Sequence, residues 1–251
     1  MLSVTAIPAF SDNYIWLIEN DRKQAVIVDP GDAAPVLEFL EHQRLQLAAI
    51  LVTHHHHDHT DGIAALVAQH PNTPVYGPAN SPFLGITHPL EDGDRFKLLN
   101  HQCQVIATPG HTQDHICYLL GHRLFCGDTL FSAGCGRLFE APDAMYDSLL
   151  KLKALHDDTA IYCAHEYTLS NLRFAQAVEP NNLAIRNHLE KISQWRQNNR
   201  CSLPSSMALE REINPFLRCD IAAVHTAVSD SVSKFDEQSV FRALRHWKDV
   251  F

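Results

Sequence analysis

The sequence predicts an α/β (α+β) fold that ends in a small all-helical domain. Up to about residue 168, short β-branched segments alternate with turns such as Pro30-Gly31 and Pro109-Gly110 and with amphipathic stretches. From residue 169 onward the apolar residues recur with helical spacing instead. A chain of 251 residues that is 45% hydrophobic can bury one large core and one small core. We therefore expect one domain at residues 1–168 and a helical domain at residues 169–251.

The elements follow from apolar runs that are bounded by turn residues. Short strands are predicted over five segments, at residues 27–28, 47–52, 105–108, 122–126 and 160–164. Helices are predicted between and after them, at residues 33–43, 61–70, 143–156, 169–178, 182–198 and 238–247. A histidine or an aspartate follows each of the last four strands within three residues, so the chemistry is expected where strands end.

The most informative motif is the run Thr-His-His-His-His-Asp-His at residues 53–59. His54, His56, Asp58 and His59 spell the pattern HxHxDH. Alternate side chains of an extended segment share a face, so His54 and His56 can chelate one ion. Asp58 and His59 lie where the chain turns toward a helix, and they can hold a second ion. A solvated histidine-rich loop or a tag is the alternative, but a tag lies at a terminus and lacks the Asp-His ending.

Three further strand ends supply the missing ligands. His111 follows Pro109-Gly110, Asp128 follows Gly127, and His165 follows the strand at 160–164. The resulting prediction is His54, His56 and His111 for one ion, Asp58, His59 and His165 for the other, and Asp128 as the bridging carboxylate. Cys126 and Cys163 lie close to these ligands, yet the odd set of seven cysteines without a CxxC spacing indicates reduced core thiols. The other histidines are interpreted as surface or structural residues: His55, His57, His88, His101, His122 and His188.

The order of these motifs, from about residue 2 to residue 167, resembles the metallo-β-lactamase superfamily. That resemblance implies a four-layer αββα sandwich, in which two mixed sheets carry helices on their outer faces and a dinuclear metal site lies at one rim. It also identifies residues 27–31 as the early strand that ends in Asp29. Asp29 is expected to orient a metal-bound imidazole. His115 is expected to contact the metal ligands without binding the metal itself.

Five further motifs, three of them in the last third of the chain, are similar to those of the hydroxyacylglutathione hydrolase (glyoxalase II) family. They are residues 134–140, 165–168, 203–206, 214–218 and 241–249. By motif position the resemblance implies that Arg245 and Lys248 hold the glycine carboxylate region of glutathione. Arg137 and Tyr167 would lie nearer the thioester. The chain departs from the family's usual residues at three positions: Arg137 replaces lysine, Phe139 replaces tyrosine and Asp114 replaces glycine.

The implied reaction is hydrolysis of S-D-lactoylglutathione to glutathione and D-lactate, the second step of methylglyoxal detoxification. Metal binding lowers the pKa of water from about 15.7 to about 7, so two ions that share one water would hold a hydroxide nucleophile. Asp128 bridges the ions and Asp58 additionally orients that hydroxide in this interpretation. Two divalent ions are expected per chain, with zinc favoured and iron or manganese acceptable to the same ligands.

Composition excludes several other classes of partner. The net charge of −9 opposes nucleic-acid binding, which requires a basic face. No apolar run approaches the roughly 18 residues that a membrane span requires, and the first residues lack a secretory signal. We therefore expect a cytoplasmic protein whose partner is a small-molecule thioester. Oligomeric state is not readable from the sequence, although a monomer is slightly favoured.

Three rival functions remain at this stage. A persulfide dioxygenase of the same superfamily would hold a single iron with two histidines and one aspartate, and the full set of seven ligands opposes it. A β-lactamase would normally be exported, and the lack of a secretory signal in the first residues opposes that function. A non-enzymatic metal-dependent binding or regulatory domain would not require an open dinuclear site beside a cationic pocket.

Overall fold

Two six-stranded sheets form the frame of the part of the chain that the structure describes. The structure is a computed structural model that describes residues 1–232 and 236–251, except for the side chains of residues 142 and 143. The first sheet has the order β1-β2-β3-β4-β5-β6, with β1 at Leu2–Ala9, β2 at Asn13–Asn20, β3 at Gln24–Val28, β4 at Gln46–Leu51, β5 at Val75–Pro78 and β6 at His88–Leu90. Its first three strands are antiparallel and the others run parallel, so the sheet is mixed.

The second sheet is also mixed, because β10 and β13 are parallel while their neighbours are antiparallel. Its order is β14-β13-β10-β9-β8-β7, with β7 at Arg95–Leu98, β8 at His101–Ala107, β9 at Ile116–Leu120, β10 at Arg123–Gly127, β13 at Ala160–Cys163 and β14 at Ser205–Ser206. A small separate hairpin pairs β11 (Leu130–Phe131) with β12 (Gly134–Cys135).

The helices flank these sheets and fill the C-terminal third. They are α1 (Ala33–Gln43), α2 (His57–Thr60), α3 (Ile63–Gln69), α4 (Pro142–Lys153), α5 (Thr168–Val178), α6 (Leu183–Gln197), α7 (Met207–Ile213), α8 (Ala222–Ala227) and α9 (Glu237–Val250). Several begin at a side-chain cap: Asp32 accepts from the Ala34 N–H before α1, and Asn182 accepts from the Ala184 N–H before α6.

The alternation of side chains along the strands shows how the layers pack. In β3, Val26 and Val28 belong to the large core that contains residues of both sheets. Ala25 and Ile27 belong instead to a second core, against which α1 and α3 pack. A strand that is buried on both faces carries few polar residues, which explains why residues 25–28 of β3 are all apolar. The two sheets therefore face each other and helices cover the outer faces, as the four-layer prediction requires.

The C-terminal helices have a small core of their own but are also attached to the sandwich. That core includes Leu172 of α5, Ile192 of α6 and Ile213 of α7. Phe241 and Leu244 of α9 are buried in the large core instead. The predicted all-helical segment also contains one exception, since β14 pairs with β13 and extends the second sheet. The boundary between residues 168 and 169 stays a prediction.

Strand register places the candidate ligands at one edge of the sandwich. Because β10 and β13 are parallel and Gly127 pairs with Cys163, Asp128 and His165 emerge next to each other. In the first sheet, Val28 pairs with Leu51, so Asp29 lies beside the residues that follow β4. Parallel neighbours end at the same edge of a sheet, so residues far apart in sequence meet there.

Candidate metal centre and substrate pocket

Three imidazoles converge at the first part of the candidate metal centre. His56 Nδ1 lies 3.1 Å from His54 Nε2 and 3.0 Å from His111 Nε2. Tetrahedral zinc, at about 2.0–2.1 Å from each nitrogen, would separate its ligand atoms by about 3.3 Å. The three nitrogens therefore have the spacing of ligands around one small cation.

A second group of ligand atoms lies beside the first. Asp58 Oδ2 is 3.4 Å from His59 Nε2 and 3.5 Å from His165 Nε2. The donors in this group all lie within 4.8 Å of one another, as do those of His54, His56 and His111. The structure thus brings together two sets of donors that are suitable for metal ions.

Asp128 lies between the two sets. Its Oδ2 atom is 3.4 Å from His111 Nε2 and 3.3 Å from His165 Nε2, so one oxygen faces both groups. Its Oδ1 atom lies 3.5 Å from His59 Nε2. The carboxylate has the position that a ligand shared by two ions would require.

The hydrogen bonding at this centre fits a metal ion. His59 Nε2 and Asp128 Oδ1 are buried and have no hydrogen-bond partner among the described residues. Most buried polar side-chain atoms in proteins have a partner, and an ion or water commonly satisfies those that lack one. Imidazole nitrogen and carboxylate oxygen are donors that zinc, iron and manganese accept. The residues present therefore fit a divalent cation.

The electrostatic environment favours a neutral His54 ring and an ionised Asp128 carboxylate, whereas it favours a protonated His59 ring whose proton a bound cation would displace. Burial and the neighbouring imidazoles hold the pKa of His54 well below 6.5, so this ring is neutral and keeps a free lone pair. Burial alone would raise the pKa of Asp128, but the nearby rings of His165 and His59 outweigh it and lower that pKa. Burial likewise opposes a charge on His59, yet Asp128 and Asp29 hold its pKa well above 6.5. The carboxylates of Asp128 and Asp29 therefore make the surroundings of His59 favourable for a positive charge.

The two predicted supporting residues both contact the candidate ligands. Asp29 Oδ2 lies 3.1 Å from His59 Nδ1, and the same carboxylate accepts hydrogen bonds from the N–H and hydroxyl of Thr53. His115 Nε2 accepts a hydrogen bond of 3.1 Å from the Asp128 N–H. These contacts fix the positions of His59 and Asp128 from outside the cluster.

Sequence reasoning missed two residues where β1 turns into β2, namely Asp12 in the turn and Asn13 at the start of β2. Asp12 Oδ1 lies 2.8 Å from His165 Nδ1, and the Asn13 amide donates a 2.9 Å hydrogen bond to Asp58 Oδ2. No sequence signal separates this polar turn from other polar turns. The antiparallel β1–β2 pairing identifies it as the turn of a hairpin, but only the folded chain brings that turn to the ligands.

Two glycines allow the backbone to approach these ligands closely. A Cβ atom at Gly31 would lie 1.9 Å from the Asp58 carbonyl oxygen, and one at Gly136 would lie 1.9 Å from the Asp128 carbonyl oxygen. Any side chain at either position would displace the loop that carries a candidate ligand.

A cavity of about 600 Å³ opens beside the metal centre. Its walls include the candidate ligands His111 and Asp128 and all four predicted substrate-binding residues, namely Arg137, Tyr167, Arg245 and Lys248. Phe131 and Phe139 add apolar surface, and the Phe139 ring lies 5.2 Å from the His111 ring between centroids. A larger cavity of about 800 Å³ lies among the C-terminal helices and contains none of the predicted site residues.

The four predicted substrate-binding residues differ in their environments. Arg245 is only 5% exposed, and it donates to Asp249 at 2.8 Å and to the Cys135 carbonyl at 3.1 Å. Lys248 is half-buried, and burial followed by repulsion from Arg245 lowers its pKa. Arg137 is exposed. The Tyr167 ring stacks on the His165 ring with centroids 4.8 Å apart and an interplanar angle of 2°.

The alternative ligands lie outside the candidate cluster. Cys126 and Cys163 are buried, and their thiols donate to the backbone carbonyls of Leu130 and His165. Burial raises the pKa of both thiols, which disfavours the thiolate that a metal would require. His57 is exposed and pairs with Asp61 at 3.0 Å.

Comparisons with known proteins agree with this geometry. A family model described as "Metallo-beta-lactamase superfamily" matches residues 9–165, and one described as "Hydroxyacylglutathione hydrolase C-terminus" matches residues 166–251. A hydroxyacylglutathione hydrolase from Aliivibrio salmonicida (strain LFI1238) is 53% identical over 252 residues, covering 100% of both chains. The chain belongs to the hydroxyacylglutathione hydrolase family, within the metallo-β-lactamase superfamily.

Other similar proteins extend the comparison. A hydroxyacylglutathione hydrolase from Photobacterium profundum is 50% identical, again over 100% of both chains. Among solved structures, the fold is similar to a crystal structure of ETHE1 from Myxococcus xanthus, with a TM-score of 0.67 and 25% identity over 100% of this chain and 99% of that chain. The predicted fold class and family are thereby confirmed. None of the helices in the described ranges has the length and apolarity needed to cross a membrane.

Proposed function

We propose that this member of the hydroxyacylglutathione hydrolase family hydrolyses S-D-lactoylglutathione to glutathione and D-lactate. The observation that carries the proposal is the shared cavity. His111 and Asp128 of the candidate metal centre line it together with three cationic side chains, Arg137, Arg245 and Lys248. Glutathione thioesters combine a reactive acyl carbon with two carboxylates, so they match a pocket of this composition.

We propose that the centre holds two divalent ions, most readily zinc. His54, His56 and His111 would hold one ion, Asp58, His59 and His165 would hold the other, and Asp128 would contact both. When bound, such ions lower the pKa of a shared water to about 7 and polarise an acyl oxygen. The chain's own residues fix where this chemistry takes place. Asn13 orients the Asp58 carboxylate, and the His115 ring holds the Asp128 backbone.

The pocket residues would position the substrate. Asp249 neutralises Arg245, which leaves the charges of Arg137 and Lys248 to attract the carboxylates of glutathione. Burial raises the pKa of Tyr167, so its hydroxyl stays protonated and can donate a hydrogen bond near the thioester. The thiol of the departing glutathione resembles free cysteine, with a pKa of about 8.5, so little acid catalysis is required.

A direct assay tests this proposal. Purified, metal-analysed protein should hydrolyse S-D-lactoylglutathione, as measured by loss of thioester absorbance. Asp128→Asn should reduce kcat/KM by about 10³-fold or more, because it weakens a carboxylate that faces both groups of ligands. Asp61→Asn serves as the matched control, since Asp61 is an exposed carboxylate near the same motif and forms its ion pair with His57. A metal-loaded wild type that leaves the thioester intact would refute the substrate assignment.

A further inference from the structure

A second cluster of ligand-type side chains lies next to the metal centre but shares no residue with it. His55, Asp114 and Glu140 offer one imidazole and two carboxylates whose donor atoms lie within 4.8 Å of one another. His55 Nδ1 lies 2.9 Å from Asp114 Oδ1, and His55 Nε2 lies 3.6 Å from Glu140 Oε1. The cluster therefore surrounds the His55 ring with carboxylate oxygens on both of its nitrogen-bearing sides.

The position of His55 follows from its backbone. His54 and His56 direct nitrogens at the same point in the main centre. Successive residues of an extended segment point to opposite faces, so the intervening His55 is directed away from that point. Its ring lies 5.1 Å from the His56 ring between centroids, yet its polar contacts are with Asp114 and Glu140. His55 thus belongs to the second cluster alone.

The burial and hydrogen bonding of Asp114 are the strongest indication that this cluster binds an ion. Its side chain is only 3% exposed and is aimed at His55, to which Oδ1 is hydrogen-bonded. Its other oxygen, Oδ2, is buried and has no hydrogen-bond partner among the residues that the structure describes. A buried carboxylate oxygen without a partner is unfavourable unless an ion or a water completes it. The two carboxylates of this cluster together carry the charge that one divalent cation matches.

We propose that His55, Asp114 and Glu140 form an additional binding site for one divalent transition-metal ion of the Zn²⁺ or Mn²⁺ class. Imidazole and carboxylate are donors that these ions accept. The Glu140 side chain is 40% exposed, so it can move the short distance needed to close on an ion that Asp114 and His55 hold from the buried side. The site is independent of the proposed function.

The site would connect two loops that border the substrate cavity. Glu140 Oε2 already accepts a 2.7 Å hydrogen bond from the Gln113 N–H. Glu140 also directly follows Phe139 and lies three residues after Arg137, both of which line the cavity. An ion at this site would therefore hold residues 137–140 against the loop that carries His111.

Metal stoichiometry tests the proposal directly. Metal-stripped protein is dialysed to equilibrium against a Zn²⁺ buffer, and bound zinc per chain is measured by elemental analysis. Wild type should retain about one ion more than Asp114→Gly or Glu140→Gln, since each variant removes one of only three protein ligands. His57→Gln is the matched control, because His57 lies in the same histidine run but is 93% exposed and pairs with Asp61. It should retain as much zinc as wild type.

Anomalous X-ray diffraction at the zinc absorption edge would show where the additional ion binds. A peak between His55, Asp114 and Glu140 in wild type, absent in Glu140→Gln, is the expected result. Equal zinc content in wild type and both variants, with anomalous peaks confined to the main centre, would overturn the proposal. That outcome would leave the main centre and the thioester hydrolysis unaffected, so failure here is distinguishable from failure of the proposed function.

Discussion

Four of the five imidazoles at the candidate metal centre use their two nitrogens for different purposes. One nitrogen faces the centre, and the other is held by a neighbouring group that fixes the orientation of the ring. The partners of the second nitrogens are chemically diverse: Thr53 for His54, Asp29 for His59, the Arg137 carbonyl for His111 and Asp12 for His165. Because a metal site requires accurate ligand directions, these partners should affect metal affinity although they do not bind the metal.

Asp12 provides the sharpest test of that principle. Asp12→Asn should weaken metal binding by about 10–100-fold, because a neutral amide orients the His165 ring less strongly and does not raise its basicity. Metal affinity is measured by competition with a chelator of known affinity. Ser11→Ala is the control, since the Ser11 hydroxyl contacts the other Asp12 oxygen at 3.2 Å and leaves the His165 contact in place. Equal affinities in Asp12→Asn and wild type would show that this contact has no orienting role.

At the scale of single residues, the sequence predicted the candidate metal ligands better than the residues that hold those ligands in place. The structure brings His54, His111 and Asp128 to one centre as the strand-end pattern predicted, although their binding of metal stays a prediction. The ligands were recognisable because histidines and an aspartate recur shortly after several apolar strands. Asp12 was not recognisable, because an aspartate in a polar turn is common and its contact with His165 spans 153 residues.

Helix α9 shows that two neighbouring cations on one element can have different roles. Arg245 is buried and hydrogen-bonds the Cys135 carbonyl, so it joins the helix to the β11–β12 hairpin. Lys248 is half-buried and lies 5.3 Å from the centre of the Phe174 ring. Both line the substrate cavity, but only Arg245 satisfies a buried backbone group.

We therefore expect the two alanine variants on α9 to separate stability from substrate binding. Arg245→Ala should reduce the free energy of unfolding by about 1–3 kcal/mol, because it leaves the buried Cys135 carbonyl without its donor. Lys248→Ala should raise KM for the thioester while leaving the unfolding midpoint near that of wild type. Denaturant unfolding and steady-state kinetics measure the two effects. An unchanged midpoint in Arg245→Ala would show that its buried hydrogen bonds do not stabilise the fold.

Helix α6 carries a residue that should make stability depend on pH. Burial, followed by repulsion from Lys191, lowers the pKa of His188 to about 4. The unfolded chain, with a histidine pKa of about 6.5, then binds more protons than the folded chain between these two values. This contribution to stability is complete above pH 6.5 and is lost as the pH falls toward 4.

Substitution of His188 tests that dependence. In His188→Gln, the free energy of unfolding should decrease less than in wild type between pH 6.5 and pH 4, because the titrating group is absent. Urea unfolding at several pH values measures it. His156→Gln is a suitable control, since His156 is an exposed histidine paired with Asp158. Parallel pH profiles for wild type and His188→Gln would show that His188 titrates alike in both states.

Elements with an apolar pattern of their own were predictable, whereas β14 was not. Residues 33–43 were predicted as a helix and form α1 (Ala33–Gln43), because Asp32 caps it and apolar residues repeat along it. The predicted helix at 143–156 corresponds to α4 (Pro142–Lys153). By contrast, β14 has two residues and no periodicity of its own. It is held by pairing with β13 and by the buried Glu210 carboxylate, which accepts from the Ser205 hydroxyl, and such tertiary contacts leave no local pattern.

At the scale of the whole molecule, the candidate metal centre joins the two sheets. His54, His56, Asp58 and His59 follow β4 of the first sheet, whereas His111, Asp128 and His165 follow strands of the second. Ions held by both groups would connect the two halves of the sandwich at this edge. Without them, the orphaned nitrogen of His59 and the orphaned oxygen of Asp128 remain buried without partners among the described residues.

Metal removal should therefore destabilise the entire fold and not merely abolish activity. Since a ligand that binds only the folded state stabilises it by mass action, chelation should lower Tm by about 5–15 °C for a chain of this size. Differential scanning calorimetry measures the shift, with metal loss verified by elemental analysis and calcium-saturated chelator as the control. Asp128→Asn should show a smaller shift, because it holds metal less tightly before chelation. An unchanged Tm after verified metal loss would mean that the sheets pack equally well without the ions, so the centre would serve chemistry alone.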